Sequence, residues 1–159
     1  ICICIDLTHS TDYPLSNIIS DGDIKLGEGC VLAKGPNIFP NLFKCLEDTA
    51  IEHNIKYQVE VSPYPTGTDA NPIQLSGNGV RTAVVSIPCR YMHTPHEICS
   101  KLDIDSTITL LVCFLCEKGL YWEDGWLLTM AKSYAPLSWM DIVISEDFRC
   151  VYKPQTRCF

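Results

Sequence analysis

The chain has 159 residues, enough for one ordinary domain with a sizeable core, or for one domain with an extension. With 47% hydrophobic and 19% charged residues, its composition is globular and excludes disorder along its whole length. A formal net charge of -7, with no basic cluster to interrupt it, sets aside nucleic acid and anionic membrane as partners.

The sequence opens on an apolar run, Ile1 to Leu7, which predicts a strand buried on both faces with Asp6 at its end. Neither a basic leader nor a small-residue cleavage site is present, so no signal peptide is expected. A chain that opens inside a strand is expected to be a fragment or a processed product. Residues 8–37 are expected to be loop, because Pro14, Gly22, Gly27, Gly29, Gly35 and Pro36 break any long element. Pro40 then opens a helix, with Leu42, Phe43, Leu46 and Ala50 spaced for one apolar face. Lys56 to Val61 alternates polar and apolar residues, as a strand with one more exposed face does. Thr66-Gly67-Thr68-Asp69 predicts a turn, with Asp69 capping a short helix that Asn78-Gly79 stops. Val80 to Ile87 predicts a second strongly buried strand, closed by Pro88. Asp105-Ser106 precedes the last helix, which runs through Leu110, Leu111, Phe114 and Leu115. The longest apolar run, Thr107 to Cys116, is well short of the roughly 20 residues a bilayer span needs, so no membrane segment is expected.

Residues 117–159 differ in kind from residues 1–116. They hold Trp122, Trp126 and Trp139, and show no sustained helical or strand period, with Ile142-Val143-Ile144 as the one short strand candidate. They are expected to be a tail of unclear origin, either a read-through, frame-shifted or rearranged end, or a genuine extra element packing its aromatics on the sheet.

Ten cysteines need a reading. Disulfide frameworks belong to small secreted domains with little core, whereas Cys2 and Cys4 fall on a predicted strand and Cys45 and Cys113 on predicted helices. Buried reduced thiols acting as small hydrophobes fit that setting, and point to the cytoplasm. Cys113 and Cys116 have CxxC spacing but lack a second pair and sit inside an apolar helix, which argues against zinc.

The alternation of strands and helices implies an α/β fold, a mainly parallel sheet with helices on both faces. Ligands of such sheets bind beyond the carboxyl ends of the strands. Asp6 at the end of the first strand and His93 just past the end of the third are thereby delivered to one edge.

Taken singly, an Asp at a strand end is more often a turn former than a ligand, and a loop histidine is usually just hydrogen-bonded. Together and in order, three strings say more: Ile5-Asp6-Leu7-Thr8-His9, Tyr64-Pro65-Thr66-Gly67-Thr68-Asp69-Ala70, and Ile87-Pro88-Cys89-Arg90-Tyr91-Met92-His93-Thr94-Pro95. With Gly35-Pro36-Asn37 and Tyr57-Gln58-Val59-Glu60, they resemble the glutamyl aminopeptidase family, some of whose members are labelled cellulase M or endoglucanase. The resemblance runs from Ile1 to about Leu115.

It implies the C-terminal half of a zinc-peptidase-like catalytic domain that uses two divalent metal ions, zinc or cobalt, to remove N-terminal residues from peptides. Asp6 matches the terminal carboxylate ligand of one metal, and His93 the terminal imidazole ligand of the other. Both are good zinc donors by type. The metals would share a bridging carboxylate and a water whose proton a glutamate removes. Thr66, Gly67, Thr68, Asp69 and Arg90 are expected to line the substrate cleft. For Arg90 a salt bridge, and for the turn a helix cap, are the structural alternatives. His9 and His96 match no ligand and are read as supporting or surface residues. The general base, the bridging acid and the remaining ligands match nothing in the chain, so no catalytic residue is assigned. The intact parent is expected to be a homo-oligomer acting on peptides, with this chain inactive alone. The alternative is a catalytically silent remnant or interaction module. Carbohydrate hydrolysis, which the endoglucanase label would imply, needs two acids apposed around a sugar, and the strings match metal ligation instead.

Overall fold

In the computed structural model, which describes residues 1–14, 16, 18–117 and 127–130, the elements in chain order are β1 Cys2–His9, α1 Ile18–Asp21, β2 Cys30–Lys34, α2 Pro40–Glu52, β3 Tyr57–Val61, α3 Ala70–Gln74, β4 Thr82–Arg90, β5 Ile98–Cys99, α4 Lys101–Glu117 and β6 Leu127–Met130. Cys2, Ile3, Cys4 and Ile5 are all buried. Because side chains alternate across a strand, four buried in a row require cover on both faces. β1 finds its backbone partners in β4 on one side and β6 on the other, both parallel to it. The sheet order is β3-β2-β4-β1-β6, with β5 attached to the end of β4. β2 and β3 are parallel, while β2 runs antiparallel to β4, so the mainly parallel α/β sheet has one antiparallel seam near its middle.

α2 buries Leu42, Phe43, Leu46 and Ala50, the face expected from their spacing, and full burial of each larger side chain is worth about 1.5–3 kcal/mol. It ends where Asn54 turns left-handed at φ 54, with Asn54 N donating to Ile51 O and Ile55 N to Ala50 O. That pairing satisfies the last carbonyls of the helix. α2 and α4 pack on each other and on β2 and β4. Among the described residues no helix is long and apolar enough to cross a membrane.

Several boundaries depart from the sequence reading. The expected loop of residues 8–37 contains β2, whose Cys30, Val31, Leu32 and Ala33 are all buried. The glycines before it serve entry into the strand. Gly29 has φ +100, and a Cβ there would lie 2.0 Å from the Lys56 carbonyl oxygen, so only glycine fits. Pro88 does not close β4 but lies within it. The carbonyl of Cys89 accepts from Ser10 N on the β1 side, so the nitrogen of Pro88 points the other way, where the ladder to β2 has already ended at Ser86. α3 stops at Gln74, ahead of Asn78-Gly79. α4 begins at Lys101, four residues before Asp105, with Ser100 Oγ accepting from Leu102 N. β6 supplies a strand from the segment expected to be a tail. Ile142–Ile144 and the three tryptophans lie outside the described residues.

The start of α4 also fixes the entry to β2. The carboxylate of Asp103, fully buried, accepts from Gly27 N through Oδ2 and from Gly29 N through Oδ1, both at 2.8 Å, and Ser106 Oγ accepts from Cys30 N at 2.8 Å. A buried carboxylate is tolerable here because both oxygens are satisfied and it sits in the first turn of a helix. Replacing Asp103 by Ala strands two amide donors, and is expected to cost about 2–3 kcal/mol in urea unfolding with the m-value unchanged. A loss below about 0.5 kcal/mol would contradict this role.

Candidate active site

β1 and β4 run side by side in one register from Cys2↔Thr82 to His9↔Cys89, so their carboxyl ends share an edge of the sheet. Asp6 lies opposite Ser86 on β1, three residues before the strand ends. Its Oδ1 accepts from Leu7 N at 2.8 Å, the one hydrogen bond to this carboxylate among the described residues. Past the end of β4 the chain turns sharply, with Tyr91 at φ 57 and His93 at φ 67. Both are left-handed, a conformation that costs a side-chain-bearing residue about 1–2 kcal/mol. The His93 backbone N donates to Glu97 Oε1 at 2.6 Å, and its ring meets that of His9 edge-on, centroids 6.0 Å apart. Neither nitrogen of the His93 ring has a hydrogen-bond partner among the described residues.

The third wall is the turn after β3, and Asn37 builds it. This side chain, 2% exposed, donates from Nδ2 to Thr66 Oγ1 at 2.7 Å and accepts on Oδ1 from Thr66 N at 3.0 Å. Thr66 Oγ1 in turn lies 2.8 Å from Thr68 Oγ1. The Asn37 carbonyl is itself held by the hydroxyl of Thr82 at the start of β4. A two-point grip on one residue sets both the position and the orientation of the turn.

These walls enclose a cavity of about 350 Å³, within the range of small-ligand sites. Asp6, His93, Thr66, Gly67 and Thr68 all line it, so five of the residues singled out in the sequence come together. Asp69 and Arg90 are not among its lining residues. Arg90 instead forms a fork with Asp12, Nε to Oδ1 at 2.8 Å and Nη2 to Oδ2 at 2.6 Å, fastening the segment after β1 to the end of β4. Asp69 is exposed and holds the N-cap position of α3, yet makes no side-chain cap hydrogen bond, because its backbone is already helical rather than extended. Its charge still reaches the sheet: the buried Cys4 thiol is pushed up first by its contact with Cys2, Sγ to Sγ 3.7 Å, then by burial, and further by the charges of Cys2, Asp69 and Asp6.

Thr8, His9 and Glu60 also line the cavity. Thr8 Oγ1 donates to Glu60 Oε2 at 2.8 Å, tying β1 to β3 across the cavity floor. Period-two alternation signals Thr8, since it places it on the face of Asp6, and Glu60 falls on the alternating strand. His9 is exposed and lines the cavity beside His93, so it sits at the surface and against a site residue at once. A larger hollow of about 460 Å³ beside α2 and β3 is lined by Lys34, Phe43 and Val61, and has no imidazole.

Chemically, the cavity is lined by the carboxylates of Asp6 and Glu60 and the imidazoles of His9 and His93, donors suited to zinc-like cations by type, and among the described residues neither Asp6 Oδ2 nor the His93 ring has a competing hydrogen bond. Among the described residues no group of three or more His, Cys, Asp or Glu side chains could hold a metal ion.

Comparison with known proteins gives this geometry a setting. The family model of M42 glutamyl aminopeptidase matches residues 1–110. Lysyl aminopeptidase of Pyrococcus furiosus is 48% identical over 93 residues, covering 58% of this chain and 27% of the relative. An aminopeptidase of the archaeon Desulfurococcus kamchatkensis superposes with a TM-score of 0.62 at 30% identity, over 70% of this chain and 32% of that one. A Pyrococcus horikoshii peptidase described as able to assemble into a tetrahedron or a large octahedral shell shares the fold alone, with a TM-score of 0.53 at 22% identity over 70% and 32% of the two chains. The chain spans between 27% and 35% of the length of curated relatives it matches.

Two outcomes are expected of the site's scaffolding. The hydrogen bond from Arg90 holds the Asp12 carboxyl down at about 2, against the opposing effect of burial and with help from Leu26 N. Its folded-state value lies below the unfolded one, so its stabilisation is complete above about pH 4 and is lost as the pH falls toward 2. Stability measured across that window should therefore fall less steeply in Asp12→Asn than in the parent chain, and equal slopes would exclude the pair as the cause. At His93, glycine relieves the left-handed backbone. His93→Gly should gain about 0.5–1 kcal/mol in urea unfolding, and a loss would mean that the imidazole supports the fold.

Proposed function

The chain belongs to the M42 glutamyl aminopeptidase family, and from that membership we propose that residues 1–116 form the C-terminal part of a two-metal aminopeptidase catalytic domain, to whose sheet residues 127–130 of the following segment add β6. In this reading Asp6 is the terminal carboxylate ligand of one divalent ion and His93 the terminal imidazole ligand of the other, zinc or cobalt. The observation that supports it is the meeting of these two side chains, with uncommitted donor atoms, in one cavity at the carboxyl edge of β1 and β4.

Such ions, when bound, supply Lewis acidity toward a peptide carbonyl and a water made acidic enough to attack it. The chain's own residues do the rest of what is proposed for this part. Leu7 N occupies one oxygen of Asp6 and so orients the other. The edge contact with His9 limits rotation of the His93 ring, as a neighbour that orients a ligand does. The Thr66–Thr68 turn, gripped by Asn37, presents hydroxyl and backbone groups to a peptide lying in the cavity. The substrate is the N-terminal residue of a peptide, and the whole enzyme is a homo-oligomer working in the cytoplasm. The general base and the other ligands lie outside this chain. One donor per metal is too few for tight binding, so the 159-residue chain is inactive by itself.

A chimera tests the reading. Residues 1–110 replace the matching segment of the Pyrococcus furiosus lysyl aminopeptidase, and turnover of amino-acid anilides and metal content are measured. The chimera should be active, and Asp6→Ala or His93→Ala should each lower both metal occupancy and kcat by at least about a hundredfold. Full metal content in either variant would refute the ligand assignment. The isolated chain should show no turnover with zinc or cobalt. Activity there that Asp6→Ala abolishes would refute its inactivity.

A further inference from the structure

The antiparallel hook made by β4 and β5 places Cys89 directly opposite Cys99, next to the pair Arg90↔Ile98. We propose that Cys89 and Cys99 form a dithiol site that reacts with small-molecule disulfides, closing a covalent staple across the base of the loop that carries His93.

Strand geometry provides the first argument. The carbonyl of Cys89 accepts from Ser10 N at 3.0 Å and so faces β1. The N–H and C=O of one strand residue point to the same side, which means Cys89 offers no backbone hydrogen bond to β5. Cys89↔Cys99 is therefore the non-hydrogen-bonded kind of antiparallel pair, in which Cα atoms stand about 4.5 Å apart. That separation lies within the roughly 4.4–6.8 Å that a disulfide spans, and directly opposed residues project to the same face.

Access provides the second argument. Cys99 is exposed and Cys89 fully buried, which gives an order of events. The Cys99 thiolate attacks one sulfur of the small-molecule disulfide, forming a mixed disulfide and releasing one thiolate. Cys89 then loses its proton to solvent and attacks the Cys99 sulfur, forming the protein disulfide and releasing the second thiol. The two thiols are oxidised by two electrons, and the small-molecule disulfide is reduced to two thiols. Burial, then the neighbouring Cys89, push the Cys99 thiol up to about 12, so the exchange quickens as the pH rises. The other close pair, Cys2 and Cys4, lies two residues apart on β1 with both thiols buried, out of reach of a solute.

The staple has a definite effect. β5 is two residues long, and Tyr91, His93, Thr94, Pro95, His96 and Glu97 between the strands are exposed. A covalent closure from 89 to 99 leaves this loop far fewer open conformations.

The 159-residue chain is incubated with oxidised glutathione at mildly alkaline pH, then alkylated and digested with trypsin. Cleavage after Arg81, Arg90 and Lys101 puts the two cysteines on separate peptides, 82–90 and 91–101. The expected product is these two peptides joined through sulfur as the dominant cross-link, absent from Cys99→Ser, and lost to scrambled pairings when oxidation is done in denaturant. In native limited proteolysis the oxidised chain should be cut at the Arg90–Tyr91 bond several-fold more slowly than the reduced one. Cys99 ending as its glutathione adduct, Cys89 joined to any other cysteine, or equal cutting of the two forms would each overturn the proposal.

Discussion

The parallel pairing of β1 with β4 is the constraint on which the rest of the molecule depends. Both strands are almost wholly buried, so their pleats are locked by side chains on two faces, and a slip of one residue would invert every one of them. The register delivers Asp6 beside Ser86 and brings the two strand ends, His9 and Cys89, level with one another. From that shared edge the loop bearing His93 springs, which is why an acid and an imidazole 87 positions apart meet in one hollow, whichever other elements surround it.

Hydrogen bonds made by buried polar side chains finish what the sheet begins. Asn37 reaches to Thr66, Arg90 to Asp12, Thr8 to Glu60 and Asp103 to Gly27 and Gly29, and each bond joins two segments distant in sequence. None belongs to the apolar core. In a low-dielectric surround such bonds are directional where apolar contacts are not, so they decide where loops lie while the core decides only that the sheet forms. The backbone is bent to the same end at Tyr91 and His93, where a conformation disfavoured for any side chain turns the imidazole back toward β1.

The parts of this architecture carried by periodicity were legible in the sequence. β1, α2, β3 and the body of β4 follow from runs and spacings of apolar residues, while Asp6, His93 and Thr66–Thr68, which line one cavity, were singled out by the strings that resemble a family. What was hidden depends on contacts a one-dimensional pattern does not contain. β2 is a short apolar run, Cys30 to Ala33, among glycines that look like breakers until Lys56 is seen passing against Gly29. Pro88 reads as a terminator, yet the side from which it withholds a donor is the side where no strand needs one. Arg90 and Asp69 belong to strings that carry site residues, but one is drawn away by Asp12 and the other begins a helix it does not cap. Neighbours in sequence need not be neighbours in use.

The grip of Asp103 on Gly27 and Gly29 has a consequence for how the chain is made. Its hydrogen bonds span 76 and 74 positions. On a ribosome the entry to β2 is therefore synthesised long before the side chain that holds it, and although β3 and β4 emerge earlier, that entry has no grip until α4 follows. Topologies of this kind fold slowly, since the entropy of closing a long loop is spent before its contacts form.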